Sequence, residues 1–148
     1  MEEISRNRLH DYAVQLMYSF LVMEEANTPI DFVGSISNLL DRPYEECDVF
    51  LKEVLIKCLK NEANIIAYIQ GYLNKWDFKR LSMTIQAILL VAVTEYYLKD
   101  ENIEKAVIIN TSVKLTKKYG LQDEKDYKFV NAVLDHCLDE RRENLLLN

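Results

Sequence analysis

Glycine, proline and long apolar runs are all scarce in this sequence. The chain of 148 residues contains only three glycines and two prolines, too few for the many turns of an all-β domain. The longest apolar run, AILLVAV at residues 87–93, is far shorter than the roughly 20 residues that a membrane-spanning helix needs. The charged N-terminal stretch MEEISRNRLHDY lacks the apolar segment of a secretory signal. We therefore expect a helix-rich, cytoplasmic protein.

Cysteine and histidine are too few and too scattered for an evident metal or nucleophilic site. Cys47, Cys58 and Cys137 form no CxxC pair, and we expect them to be small core residues of a reduced protein. His136 precedes Cys137, but adjacent helical residues point about 100° apart and do not readily pair. The sequence also has no GxGxxG or P-loop motif. We expect no catalytic activity, no metal and no cofactor.

Positive charge is in the minority, since the formal net charge is −6 and the isoelectric point is about 5.0. The field of such a protein repels nucleic acid at long range. Any RNA binding must therefore come from a local basic patch. Arg6 and Arg8, in the first turn of a predicted helix, are candidates for phosphate contacts, although such arginines are mostly just solvated.

What the sequence does contain is apolar periodicity typical of helices. Ser5 is a predicted N-cap for the first helix. Thr28, followed by Pro29 in the first turn, predicts a second helix that runs towards Leu40. A third, long helix is predicted from Pro43 to near residue 76.

The second half of the chain predicts three further helices. Residues 78–98 are apolar nearly all round in their middle, which is typical of a central buried helix. A helix over residues 104–119 stops at Gly120, and the last begins near Asp126 and fades around Arg142. No convincing strand alternation is present, and 49% hydrophobic residues can bury a core without staples. We expect one all-α domain over residues 1–148.

The segment YKFVNAVLD at residues 127–135 raises a question about its polar and aromatic residues. Asn131 flanks an apolar stripe, and we interpret its amide as partly buried and structural, as we do for Asn110. Phe129, beside Lys128, is either a core plug or a stacking surface for an unpaired base. The stripe itself comprises Phe129, Val130, Val133, Leu134 and Cys137.

Five segments carry a resemblance to a known family. They are RNRLHDYAVQLMYSF, YLNKWDFKRL, AILLVAVTEYYL, VIINTSVKLTKKYG and YKFVNAVLD. In this order, over nearly the whole chain, they resemble the NusB family of bacterial transcription antitermination factors. The last segment is the most specific of the five.

The resemblance implies a compact all-helical fold of about seven helices in two packed subbundles, without catalysis. It further implies binding to the boxA element of nascent ribosomal RNA leaders as a heterodimer with the ribosomal protein NusE. The heterodimer would then pass the RNA complex to RNA polymerase. Carried over by position, Tyr18 would lie near the shared RNA and partner surface. The implied RNA-binding residues are Arg6, Arg8, His10, Lys128 and Phe129.

The sequence also departs from the family pattern. Asn7 and His10 stand where the family usually has basic residues, which thins the patch that must overcome a net acidic protein. The stretch from Gly120 to Phe129 is about two residues longer than usual. Two hypotheses therefore stay open: an RNA-binding antitermination factor working with NusE, or a divergent NusB-like protein-binding module that has lost RNA binding.

Overall fold

Seven α-helices make up most of the computed structural model, which describes residues 4–98, 103–119 and 123–138. These residues contain no strand, which confirms the predicted all-α class. None of the described helices is long and apolar enough to cross a membrane. Two 3-10 turns cover Tyr44–Glu46 and Phe78–Arg80. The helices are α1 Arg6–Glu25, α2 Phe32–Leu40, α3 Val49–Lys60, α4 Glu62–Gln70, α5 Met83–Leu98, α6 Lys105–Lys118 and α7 Glu124–Cys137.

Helix α5 is the predicted central helix. All side chains of residues 87–93 have 0% solvent exposure, and α5 packs against α1, α3, α4, α6 and α7. The helix begins at Met83 rather than at Phe78, because residues 78–80 form a 3-10 turn. The Ser82 hydroxyl then accepts a hydrogen bond from the Ile85 amide at 3.2 Å, which caps the new start. Helices α1 and α3 also contact each other, as do α6 and α7. Helix α5 therefore lies between the pair α1 and α3 and the pair α6 and α7.

The first two helix starts depend on side-chain caps. Ser5 caps α1 as predicted, and its hydroxyl accepts from the Arg8 amide at 3.3 Å. The cap of α2 is Asp31, which accepts from the Gly34 amide at 3.0 Å. The prediction of Thr28 as this cap is wrong, because the chain leaves α1 through Asn27 at a positive φ of 56° and reaches helical geometry only at Phe32.

The prediction of one long helix after Pro43 is also wrong. After the turn at residues 44–46, Asp48 caps α3 through the Leu51 amide at 3.1 Å. Asn61 then interrupts the helix with a φ of −113° and a ψ of 13°. Its side-chain amide donates to the Lys57 carbonyl at 2.8 Å, and such local bonding competes with helical backbone pairing. Helix α4 follows and ends at Gln70.

The helices α6 and α7 agree with their predicted positions. α7 begins behind Asp123, about two residues earlier than predicted. In the apolar stripe, Val130, Val133, Leu134 and Cys137 are buried. The predicted stop at Gly120, the predicted end near Arg142 and the apolar tail at residues 145–147 lie outside the described residues.

All three cysteines are buried and unpaired, as predicted. Burial raises the pKa of the Cys58 and Cys137 thiols to about 12. Thiolate, the reactive form, is therefore strongly disfavoured in the folded protein at both positions.

A pair of glutamates joins the end of α1 to the start of α4. Burial, followed by a hydrogen bond shared with the Glu24 carboxyl group, raises the pKa of Glu62 to about 7, while Lys79 opposes the shift. The ordinary value is 4.5. Between these two values the folded state holds a proton that the unfolded state has released, so the free energy of unfolding falls as pH rises.

We predict that Glu62→Gln stabilises the protein at pH 8 more than at pH 5. The variant removes the cost of ionising Glu62, which is fully present only above about pH 7. Solvent screening at this half-buried site limits the gain to under about 1 kcal/mol, or roughly 1 to 3 °C in Tm. Thermal melts at both pH values test this, with exposed Glu25→Gln as control. An equal Tm shift at pH 5 and pH 8 would contradict the coupling.

Candidate nucleic-acid interface

The start of α1 presents two oriented arginines. Arg6 and Arg8 are both exposed. The Arg6 guanidinium lies 3.9 Å from the centroid of the Phe50 ring of α3. Arg8 lies over the Tyr12 ring and donates to its hydroxyl at 2.5 Å. Stacking on aromatic rings restricts the conformations of both side chains.

His10 does not belong to this exposed surface, contrary to the expectation from the resemblance. It is 3% exposed, and its Nδ1 donates to Oε2 of Glu95 on α5, which is 2% exposed. Nε2 is also buried and has no hydrogen-bond partner among the described residues. Helical geometry places position 8 on the opposite side of α1 from position 10. Arg6 lies one turn before His10 on the same side, and it lines one cavity of about 370 Å³ with His10 and Glu95. His10 therefore ties α1 to α5.

The predicted pair on α7 is reached by solvent. Lys128 is exposed and forms an ion pair with Glu124 one turn earlier. Phe129 is half-buried and makes an edge-to-face contact with Trp76, with ring centroids 6.4 Å apart. Phe129 is thus neither a fully buried plug nor a fully free ring, and both alternatives posed by the sequence are met in part.

The C-terminal end of α6 connects the α1 residues to the α7 residues. Lys118 and Tyr119 both donate hydrogen bonds to the Asp11 carboxylate of α1. Burial raises the pKa of Asp11, but these bonds and one from Gln15 outweigh it, so the pKa lies below its ordinary value. On the other side, the Lys117 ammonium lies 4.3 Å from the centroid of the Tyr127 ring of α7. The end of α6 therefore contacts both α1, at Asp11, and α7, at Tyr127.

Tyr18 lies at the rim of a cavity between α1, α2 and the start of α5. The side chain is 43% exposed, and the cavity has a volume of about 590 Å³. Tyr119, which bonds Asp11, also lines this cavity. Tyr119 therefore contacts both this cavity and α1, at Asp11.

Asn131 is exposed, so the prediction of a partly buried, structural amide is wrong. Asn110 is exposed as well, and both line a shallow cleft of about 640 Å³ between α6 and α7. One end of this cleft is closed by Lys105, which donates to the Asp135 backbone carbonyl at 2.6 Å and pairs with its carboxylate at 3.2 Å. The buried apolar stripe of α7 lies on a different face of that helix from Asn131.

Comparison with known proteins identifies the family. The NusB family profile matches residues 7–139. The chain belongs to the NusB family. It is 30% identical over 136 residues to the transcription antitermination protein NusB of Bacillus mycoides, covering 92% of this chain and 98% of that protein. It is 31% identical to the same-named protein of Clostridium botulinum, covering 91% and 98%.

Solved structures agree with the NusB assignment. The fold is similar to that of T. maritima NusB, with a TM-score of 0.76, 25% identity and 94% coverage of both chains. A chain in the crystal structure of a plectonemic RNA supercoil matches with a TM-score of 0.62 at 24% identity. This second likeness is one of fold alone.

Sequence reasoning missed several residues of this NusB surface. Trp76 sits beside Phe129, although 52 residues separate the two in sequence. The contacts of Asp11 with Lys118 and Tyr119 span more than 100 residues, and no local pattern encodes them. Two signals pointed to Trp76: it is the chain's sole tryptophan, in a polar segment, and it lies in YLNKWDFKRL, one of the segments that carry the family resemblance.

We predict that Glu95→Gln, which removes the carboxylate facing buried His10, destabilises the fold. Glutamine keeps an acceptor oxygen but loses the charge-assisted hydrogen bond, which should cost about 1 to 3 kcal/mol and lower Tm by roughly 3 to 10 °C. The matched control is Glu53→Gln, which disrupts the half-exposed pair with Lys57 and should cost under about 1 kcal/mol. Similar Tm losses for the two variants would contradict the importance of the buried pair.

We predict that Asn131→Ala changes the free energy of unfolding by less than about 0.5 kcal/mol, because the amide is exposed. The matched control is Asn61→Ala. Asn61 is 5% exposed and bonds the Lys57 carbonyl, so its loss should cost about 1 to 3 kcal/mol. Urea unfolding of both variants tests this. A cost above about 1 kcal/mol for Asn131→Ala would restore the structural interpretation.

Proposed function

We propose that this NusB-family protein is a cytoplasmic transcription antitermination factor that binds boxA-type ribosomal leader RNA together with NusE. The observation that supports the proposal is that the end of α6 contacts both α1, at Asp11, and the start of α7, at Tyr127, the two helices that carry Arg6, Arg8, Lys128 and Phe129. Named relatives over nearly the whole chain are transcription antitermination proteins. The complex would act on RNA polymerase as a regulator, without catalysis of its own.

The chemistry of the surface suits single-stranded RNA. Arginine and lysine neutralise phosphates, whereas an aromatic ring stacks on an unpaired base without regard to its sequence. Arg6 and Arg8 are held on aromatic rings, so less side-chain freedom is lost when they meet phosphate. Lys128 must exchange its partner Glu124 for phosphate. Because that ion pair is exposed on both sides, the exchange costs little.

The cavity beside Tyr18 is the proposed contact for NusE. It combines an exposed aromatic ring with apolar walls, which is the composition of protein-binding hot spots. Tyr119 lines the cavity and bonds Asp11 of α1. A partner bound there would therefore lie next to the RNA surface, so that NusE could add RNA contacts and positive charge.

The protein-only module is the second candidate function, and the burial of His10 favours it. His10 is buried and Asn7 is uncharged, at two positions where the family usually has basic residues. Arg6 and Arg8 are therefore the two cations at the start of α1. A net charge of −6 opposes RNA approach. This candidate predicts NusE binding through the Tyr18 cavity without RNA binding.

Titration of labelled boxA-type RNA at several salt concentrations, with and without NusE, separates the two candidates. We expect weak binding alone and tighter binding with NusE. If three phosphates are neutralised, log affinity should fall with log salt at a slope of about −2, given roughly 0.7 per phosphate for single strands. No saturable RNA binding in either condition, while NusE itself binds, would reject the antitermination proposal in favour of the protein-only module.

Two variants separate ionic contacts from stacking in the same assay. Arg6→Ala combined with Arg8→Ala should flatten the salt slope by about 1.4. Phe129→Ala should weaken binding by about 1 to 3 kcal/mol and leave the slope unchanged. Arg42→Ala combined with Lys60→Ala, at the ends of α2 and α3, removes the same two charges and is the matched control for total charge. An equal flattening in the control would show that net charge, not the α1 surface, sets the slope.

A further inference from the structure

Trp76, the only tryptophan of the chain, is unusually exposed for its size. Its side chain is 58% exposed, although an indole ordinarily gains free energy from burial. Such exposure leaves a large aromatic surface in water at the junction between α4 and the 3-10 turn at residues 78–80. This surface takes no part in the α1 contacts described above.

The Trp76 backbone is held by a side-chain clamp. The Gln70 amide group donates to the Trp76 carbonyl at 2.7 Å, and its oxygen accepts from the Phe78 amide at 2.8 Å. Phe78 is 0% exposed and anchors the following turn in the core. Both polar groups of one glutamine are thus used to fix the segment that carries the indole. A fixed, exposed ring loses little freedom when a ligand stacks on it.

Trp76 and Phe129 form a two-ring surface across α4 and α7. Their planes are inclined by 76°, with centroids 6.4 Å apart. Because an edge-to-face contact covers one face of one ring only, the other ring faces are not used by the pair. Phe129 is the residue for which RNA stacking is proposed above, and the indole extends the same aromatic surface.

The charge around Trp76 is opposite in sign to that of the whole chain. Residues 75–80 contain three exposed cations, Lys75, Lys79 and Arg80, and one exposed acid, Asp77. The Asp77 carboxylate also accepts a hydrogen bond from the Lys79 backbone amide at 3.1 Å. Exposed aromatic rings flanked by cations are the combination that binds single-stranded nucleic acid. A purely apolar partner would gain nothing from the lysines.

We propose that Trp76 is a second base-stacking residue of the RNA site, next to Phe129, and that Lys75 and Lys79 neutralise flanking phosphates. The ligand is an unpaired nucleotide stretch of the same RNA that contacts α1 and α7. This inference rests on the proposed function, because it extends that RNA surface across to the end of α4.

The single tryptophan supplies a direct measurement. Titration of wild-type protein with the boxA-type oligonucleotide at low salt should quench the indole emission, with the same midpoint as the anisotropy of the labelled RNA. Trp76→Ala should weaken RNA binding about 5- to 150-fold, whereas Trp76→Phe should retain most of the affinity. The salt slope should be unchanged in both variants. When Lys75 and Lys79 are counted with the other three cations, five neutralised phosphates give a total slope of about −3.5, and Lys75→Ala with Lys79→Ala should flatten it by about 1.4.

Val33→Ala is the matched control, because Val33 is 51% exposed and lies on α2. It should bind RNA as wild type does. Circular dichroism of each exposed-site variant checks that it folds.

Saturable RNA binding with unchanged indole emission, together with wild-type RNA affinity of Trp76→Ala, would overturn this inference while sparing the proposed function. Absence of saturable RNA binding would overturn both. Lost NusE binding with intact RNA affinity in Trp76→Ala would assign the indole to a protein contact and likewise overturn the inference.

Discussion

The complete burial of α5 is the constraint on which the rest of the structure depends. A helix with no exposed side chain over residues 87–93 requires neighbours on every side, and five other helices supply them. Its polar groups must then be satisfied inside the protein. Thr94 bonds the Leu90 carbonyl at 2.7 Å, and Glu95 pairs with His10. Glu95 is the costly member, since a buried carboxylate without a partner would strongly destabilise the fold.

The surface proposed to bind RNA follows from this burial. His10 must face α5 to meet Glu95, so the 3.6-residue period turns Arg8, on the opposite side of α1, outward. The same α1 face that packs on the core continues to Phe20, which is 0% exposed, and leaves Tyr18 at 43% exposure. Core and binding surface are therefore two consequences of one helical register. A substitution at the pair of His10 and Glu95 would disturb that surface without touching it.

Local chemistry explains which features the sequence could predict. Helix existence, the cap Ser5 and the burial of α5 depend on neighbouring residues, and periodicity reports them. The helix break at Asn61 was missed because apolar spacing continues across it. The exposure of Asn131 and the burial of His10 were misjudged because each lies at the edge of an apolar stripe. A rotation of the helix about its own axis by a few tens of degrees decides whether such a residue is buried or exposed, and distant partners such as Glu95 set that rotation.

The acidic net charge makes stacking more valuable than it would be on a basic protein. At physiological ionic strength charges are screened beyond about 8 Å, so the −6 total slows approach but acts weakly on a ligand already in place. Ionic contacts lose affinity as salt rises, since they gain by releasing counterions. The proposed base stacking on Phe129 and Trp76 would exchange no ions and would therefore keep its contribution as salt rises. An acidic protein with few surface cations can therefore hold RNA under cellular conditions only if rings, and a partner such as NusE, supply what charge does not.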